Sequence, residues 1–167
     1  MGTATTTHLI TRAHTATHLT NAIAGAIADI LGHLGIPTTR ILTRWPHDYD
    51  PAIQEWIKEG SLAAVIVECH RPDGNAHPVF EFPISYHTDG SANLNHRHIA
   101  LARQWTKLNR VPAGTTVDII CTYCGAHSPQ PGWSPTQRAS TDGLRARTLG
   151  TLAAGPYAEA SIRCFTK

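Results

Sequence analysis

Cys121-Thr122-Tyr123-Cys124, followed closely by His127, is the stretch whose residue types and spacing come nearest to metal chemistry. Tetrahedral zinc takes thiolate and imidazole ligands, and Cys164 or His87 could complete a set of four. Gly125 would permit a tight knuckle. The same cysteines also read as structure. Cys121 falls on the inward face of an alternating strand and Cys164 on the apolar face of the last one, where thiols behave as small apolar side chains. One short Cys pair without a matching second pair favours packing. The expectation is therefore no metal and no cofactor, with a zinc-binding enzyme or zinc-stabilised domain using Cys121, Cys124 and His127 as the alternative.

Other chemistry is sparse. Glu68 and Glu81 could pair as general acid and base, but neither adjoins a lysine or histidine set, so both are expected on a solvated sheet face. Among eleven histidines, His14 and His18 lie one helical turn apart, and His96 and His98 flank Arg97. No carboxylate stands nearby in sequence to complete a metal site, and scattered surface imidazoles are the simpler account. Walker loops, dinucleotide glycine fingerprints, nucleophile elbows and His-Glu-x-x-His helices are absent. No catalytic residue is assigned. Trp133, inside Pro131-Gly132-Trp133, is either an anchor pinning its loop to the core or a contact for a partner. The two roles are compatible.

The elements that must position these residues follow from periodicity. Ala16, Leu19, Ile23, Ala26, Ile27, Ile30, Leu31 and Leu34 recur at helical steps from Ala13, and Gly35 with Pro37 ends the run. A short helix has Asp50 as N-cap, Pro51 at its first position, Ile53, Trp56 and Ile57 as its stripe, and Gly60 as its stop. Leu62 to Cys69 is apolar on both faces and should be a central strand. Pro72-Asp73-Gly74-Asn75 turns the chain into a second strand, Val79 to Tyr86, which Pro83 pushes towards an edge or bulge. A third helix is expected with Leu94, His98, Leu101, Ala102, Trp105 and Leu108 on one face. The strand from Thr115 to Tyr123 places Val117, Ile119, Cys121 and Tyr123 on one side. Residues 124–142 read as a long ordered loop. A hairpin from Leu144 to Ala153 and Tyr157 to Phe165, turning at Gly155-Pro156, closes the chain.

Composition bounds the class. At 167 residues the chain suits one domain. Apolar residues at 41% and charged residues at 16% exclude a disordered charged tail. A formal charge of +2 gives no electrostatic support for direct nucleic-acid binding. The longest apolar run, Leu62 to Val67, is far too short to span a bilayer, so no membrane partner is expected. No secretory leader opens the sequence, and four cysteines are too few for a disulfide scaffold. A cytoplasmic protein with reduced thiols is expected. Met1-Gly2 with Thr6 matches a loose myristoylation pattern, but no polybasic segment supports it.

The order of elements, a long first helix, a hairpin, a further helix, a strand and a C-terminal loop plus hairpin, resembles the HORMA domain. The local sequence is similar to the small bacterial HORMA proteins of CBASS anti-phage operons. Thr15-Ala16-Thr17-His18-Leu19, Glu59-Gly60-Ser61-Leu62 and Glu68-Cys69-His70-Arg71-Pro72-Asp73-Gly74 carry the resemblance. So do Phe80-Glu81-Phe82-Pro83 and Pro129-Gln130-Pro131-Gly132-Trp133. The resemblance implies an α+β fold, with a mainly antiparallel sheet packed against about three helices. It also implies one domain divided into an N-terminal arm (1–12), a core (13–123) and a C-terminal safety belt (124–167). The belt would change position and, when closed, wrap a short closure-motif peptide; a static structural subunit whose C-terminal hairpin never detaches is the further alternative. The partners it implies are a cGAS-like nucleotidyltransferase, activated by the closed form, and a AAA+ remodelling ATPase that resets it. Peptide contacts would come from Val117, Ile119, Cys121, Tyr123, Trp133 and Leu144. The arm residues Thr3, Thr5, Thr6 and Thr7 would engage the remodeller.

Overall fold

The computed structural model describes residues 10–88 and 93–167. The chain runs through helix α1 (Arg12–Leu34), α2 (Thr39–Arg44), a π-helical turn (Trp45–Tyr49), α3 (Asp50–Glu59) and strands β1 (Leu62–His70) and β2 (Ala76–Tyr86). Then come β3 (Asn95–His96), α4 (His98–Trp105), β4 (Thr116–Tyr123), β5 (Arg145–Ala154) and β6 (Ala158–Thr166). The strands form one antiparallel sheet in the order β3-β5-β6-β2-β1-β4. Among the described residues no helix is long and apolar enough to cross a membrane.

The first helix forms as its periodicity dictates and is capped at both ends. The Thr11 side chain accepts from the His14 amide while the His14 ring accepts from the Thr11 amide, both at 3.2 Å. That is a capping box with histidine in the place glutamate usually takes. Gly35, at φ 81°, adopts the left-handed conformation that closes the last turn. The apolar face of α1 packs with Trp56, Phe80, Phe82 and Trp105 into the main core on one side of the sheet. Ala64, Ile66, Val79, Ile120 and Phe165 form a second, smaller cluster. They alternate with main-core residues along their strands, so they lie on the opposite face.

Four expectations need correction. Asp50 does not cap a new helix: the chain is already helical from Thr39, and the Asp50 side chain accepts from Gln54 within α3, at 2.9 Å. Pro51 has no amide to give the preceding turn, and the π-helical turn sits immediately before it. The third helix is shorter than its apolar spacing suggests. Asn95 and His96 pair with Ala154 and Ala153, and the Arg97 amide donates to the Leu152 carbonyl, so sheet pairing displaces the first helical turn. Strand β2 is interior rather than an edge, with Pro83 opposite Ala64. Its pairing with β6 lapses between Glu81 and Ile84, where proline has no N–H to offer. Finally, Glu68 and Glu81 are buried, at 2% and 4% exposure. The expected central position of β1 and the C-terminal hairpin both stand.

The β5–β6 turn is pressed against α1. A Cβ on Gly155 would lie 2.8 Å from the Thr15 methyl and 3.0 Å from Leu94. Gly155→Ala should therefore cost about 1–3 kcal/mol through overpacking, read as a lowered urea midpoint. An unchanged midpoint would show that this contact yields without strain.

Candidate functional site

Among the described residues, strand β4 is the last strand on its side of the sheet and pairs with β1 alone. Val117, Ile119, Cys121 and Tyr123 pack partly buried against the main core, as their alternation requires, while Ile120 joins the opposite cluster. The chain leaving β4 travels to β5, across the sheet, through segment 124–144. Cys124 starts this path, its amide donating to the Ser61 carbonyl at 2.9 Å.

The first half of the segment is tied to the helical face. The Ser128 amide donates to Glu59 Oε2 at 3.2 Å, and the Trp56 indole donates to the Ser128 carbonyl at 2.8 Å. Hydrogen bonding from Ser128 holds the Glu59 carboxyl below the usual glutamate range. The His127 ring stacks on Tyr123, with centroids 3.5 Å apart and planes within 5°. Trp133 is the main anchor. Its indole N–H donates to the Asp48 carbonyl at 2.9 Å. Its ring meets Trp56 edge to face at 5.0 Å and Tyr49 at 5.8 Å.

The second half lies on the other face. Arg138 donates to Glu81 Oε1 at 2.7 Å, and the Ala139 amide donates to Glu68 Oε1 at 2.9 Å. Leu144 packs on the Ala64–Ile66–Phe165 cluster. The segment thus changes face of the sheet between Trp133 and Arg138, after leaving from the edge strand. The expected solvated carboxylate face is instead the seat of this segment.

Of the residues suggested for zinc, the fold brings no ligand set together. The Cys121 thiol is turned into the core and burial drives its pKa well up. Burial likewise pushes Cys164 up to about 11 and Cys69 up to about 12. Thiols held protonated are poor ligands. Cys124 donates its S–H to the Gly60 carbonyl, and His127 is occupied by its stack on Tyr123. Among the described residues no group of three histidine, cysteine or acidic side chains could hold a metal ion. The histidines are less scattered than expected: His18, His96 and His98 meet edge to face, and His98 lies 3.3 Å from Asp29. The arm residues Thr3, Thr5, Thr6 and Thr7 lie outside the described residues.

The geometry of Trp133 separates two contributions. Trp133→Phe keeps ring contacts and loses one hydrogen bond, an expected loss of about 1 kcal/mol. Trp133→Ala should cost more, yet less than the roughly 3–5 kcal/mol of a fully buried tryptophan, because the residue is only partly buried. Denaturant unfolding of both variants checks this. Equal losses would show that the bond to Asp48, and not the ring, is the anchor.

The profile of the bacterial HORMA domain 2 family matches residues 4–167. A search of curated proteins finds no match. Among solved structures, C. elegans HTP-2 bound to the HIM-3 closure motif superposes with a TM-score of 0.72 at 15% identity, covering 94% of this chain and 92% of that one. HTP-2 bound to HTP-3 motif-6 gives 0.72 at 15% identity over 95% and 93%. A chain of the mitotic checkpoint complex gives 0.75 at 9% identity over 91% and 98%. At such identities the likeness is one of fold, and the fold agrees with the family match: this chain belongs to the bacterial HORMA domain family.

Proposed function

We propose that this protein is a peptide-binding conformational switch rather than an enzyme, and that residues 124–167 are its safety belt. The observation that carries the reading is the relation between β4 and segment 124–144. An edge strand offers unpaired amides and carbonyls, to which an extended peptide adds as a further strand. Here that edge is followed directly by a segment tied to one sheet face at Trp133 and to the other at Glu68 and Glu81. A peptide laid along β4 would be enclosed by the segment crossing beside it. Val117, Ile119, Cys121 and Tyr123 would meet its side chains, with Trp133 and Leu144 fixing the belt on either side. The HTP-2 structures, one bound to the HIM-3 closure motif and one to HTP-3 motif-6, support a peptide-binding reading of this fold.

The partner we propose is a cGAS-like nucleotidyltransferase of an anti-phage (CBASS) system in the cytoplasm, bound through a closure-motif peptide and activated by it. Enclosure makes dissociation depend on local opening of the belt, which is slow without assistance. A AAA+ ATPase gripping the arm at Thr3 and Thr5–Thr7 would supply that assistance.

Two measurements test this reading. Hydrogen exchange with and without the nucleotidyltransferase should show new protection at alternate amides of β4 and through 124–142, with β5 unchanged. Protection confined to another edge would sink the strand-addition model. Removing residues 2–8 should leave partner binding intact and block ATPase-driven release; release at the wild-type rate would take the arm out of the mechanism.

A further inference from the structure

The buried carboxylates under the belt share their oxygens in a regular way. Glu81 gives Oε2 to Arg163, on strand β6, at 2.9 Å from its Nε, and Oε1 to Arg138, in the segment between β4 and β5, at 2.7 Å. Glu68 places Oε2 3.2 Å from His70 Nε2, again on the sheet, and gives Oε1 to the Ala139 amide of the belt at 2.9 Å. The His70 contact lacks hydrogen-bond alignment, and His70 also lies 3.3 Å from Asp118. The two glutamates are diagonal neighbours on paired strands, since Ile66 faces Glu81 and Glu68 faces Val79. Their belt partners are consecutive residues.

We infer that Glu68 and Glu81 form a two-point seat whose engagement by Arg138 and the Ala139 amide sets whether segment 134–144 of the belt stays on the sheet. A carboxylate removed from water with one partner missing is strongly disfavoured, so belt residues 138 and 139 are held firmly. When segment 134–144 lifts and β6 stays paired, Glu81 keeps Arg163 and Glu68 keeps His70 beside it, and lifting also lets water reach the freed oxygens. The seat therefore survives opening and can be engaged again. Apolar cover alone would hold the belt without this reversibility or this register. Because the two contacts come from adjacent residues, losing one loosens the other, and segment 134–144 leaves as a unit. Glu68, Glu81 and Arg138 are positioning residues in this scheme.

The inference deepens the belt reading, but its test needs no peptide. Hydrogen exchange is measured on the full chain, following residues 134–144, with α1 and β1 as internal controls. Arg138→Ala should raise exchange in 134–144 by about tenfold or more, each tenfold being a modest coupling energy of the size such pairs carry, while α1 and β1 hold their wild-type rates. Arg138→Lys, keeping charge without the planar fork, should fall between. Adding Glu81→Gln to Arg138→Ala should cause no further loosening, because that contact is already gone. Unchanged exchange in Arg138→Ala would overturn the seat. So would an increase spread equally over α1 and β1, or fully additive effects in the double variant. If β4 gains no protection from the nucleotidyltransferase while Arg138→Ala behaves as expected, the seat stands and the strand-addition reading falls.

Discussion

A sheet with apolar residues on both faces needs two covers, and the second cover here comes from a segment that is not itself regular structure. Helix α1 and its neighbours bury one face. On the other, Ile66, Ile120 and Phe165 are joined by two carboxylates that water does not reach. Ionised groups in such a place require partners, and half of theirs come from Arg138 and Ala139. The seating of segment 133–144 and the burial of Glu68 and Glu81 are thus one fact described from two sides. Neither holds without the other.

Much of this was legible in the residues. The long helix, the central place of β1 and the final hairpin follow from apolar period and turn chemistry, and the change of character after Tyr123 coincides with the end of β4. Trp133 stood out because an aromatic in a Pro/Gly loop needs something to pack on, and it packs on Trp56 and Tyr49. The errors share a cause. Local pattern cannot report a partner distant in sequence. Glu68 and Glu81 alternate with apolar neighbours as solvated residues would, and Arg138 lies 57 residues beyond Glu81. Asn95 and His96 leave a helical pattern because Ala153 and Ala154 need an edge partner. Pro83 sits inside the sheet because the ladder to β6 lapses where proline falls.

In the proposed switch, the division between the two faces would let one segment be both well held and removable. Its first attachment is aromatic and uses one indole hydrogen bond to a main-chain carbonyl. Contacts of that kind are lost gradually as a ring slides out. Its second attachment is charged and short-ranged in geometry, so it is made or unmade within a small displacement. Pulling from the β4 side first strains the gradual contact, while lifting residues 138–144 first breaks the abrupt one. A belt with two equal apolar anchors would have no preferred order of release. One with two ionic anchors would have no tolerance in its first movement. In the proposed switch the unequal pair would define a sequence: opening would begin where the carboxylates regain water, and the Trp133 end would keep the segment attached for the return.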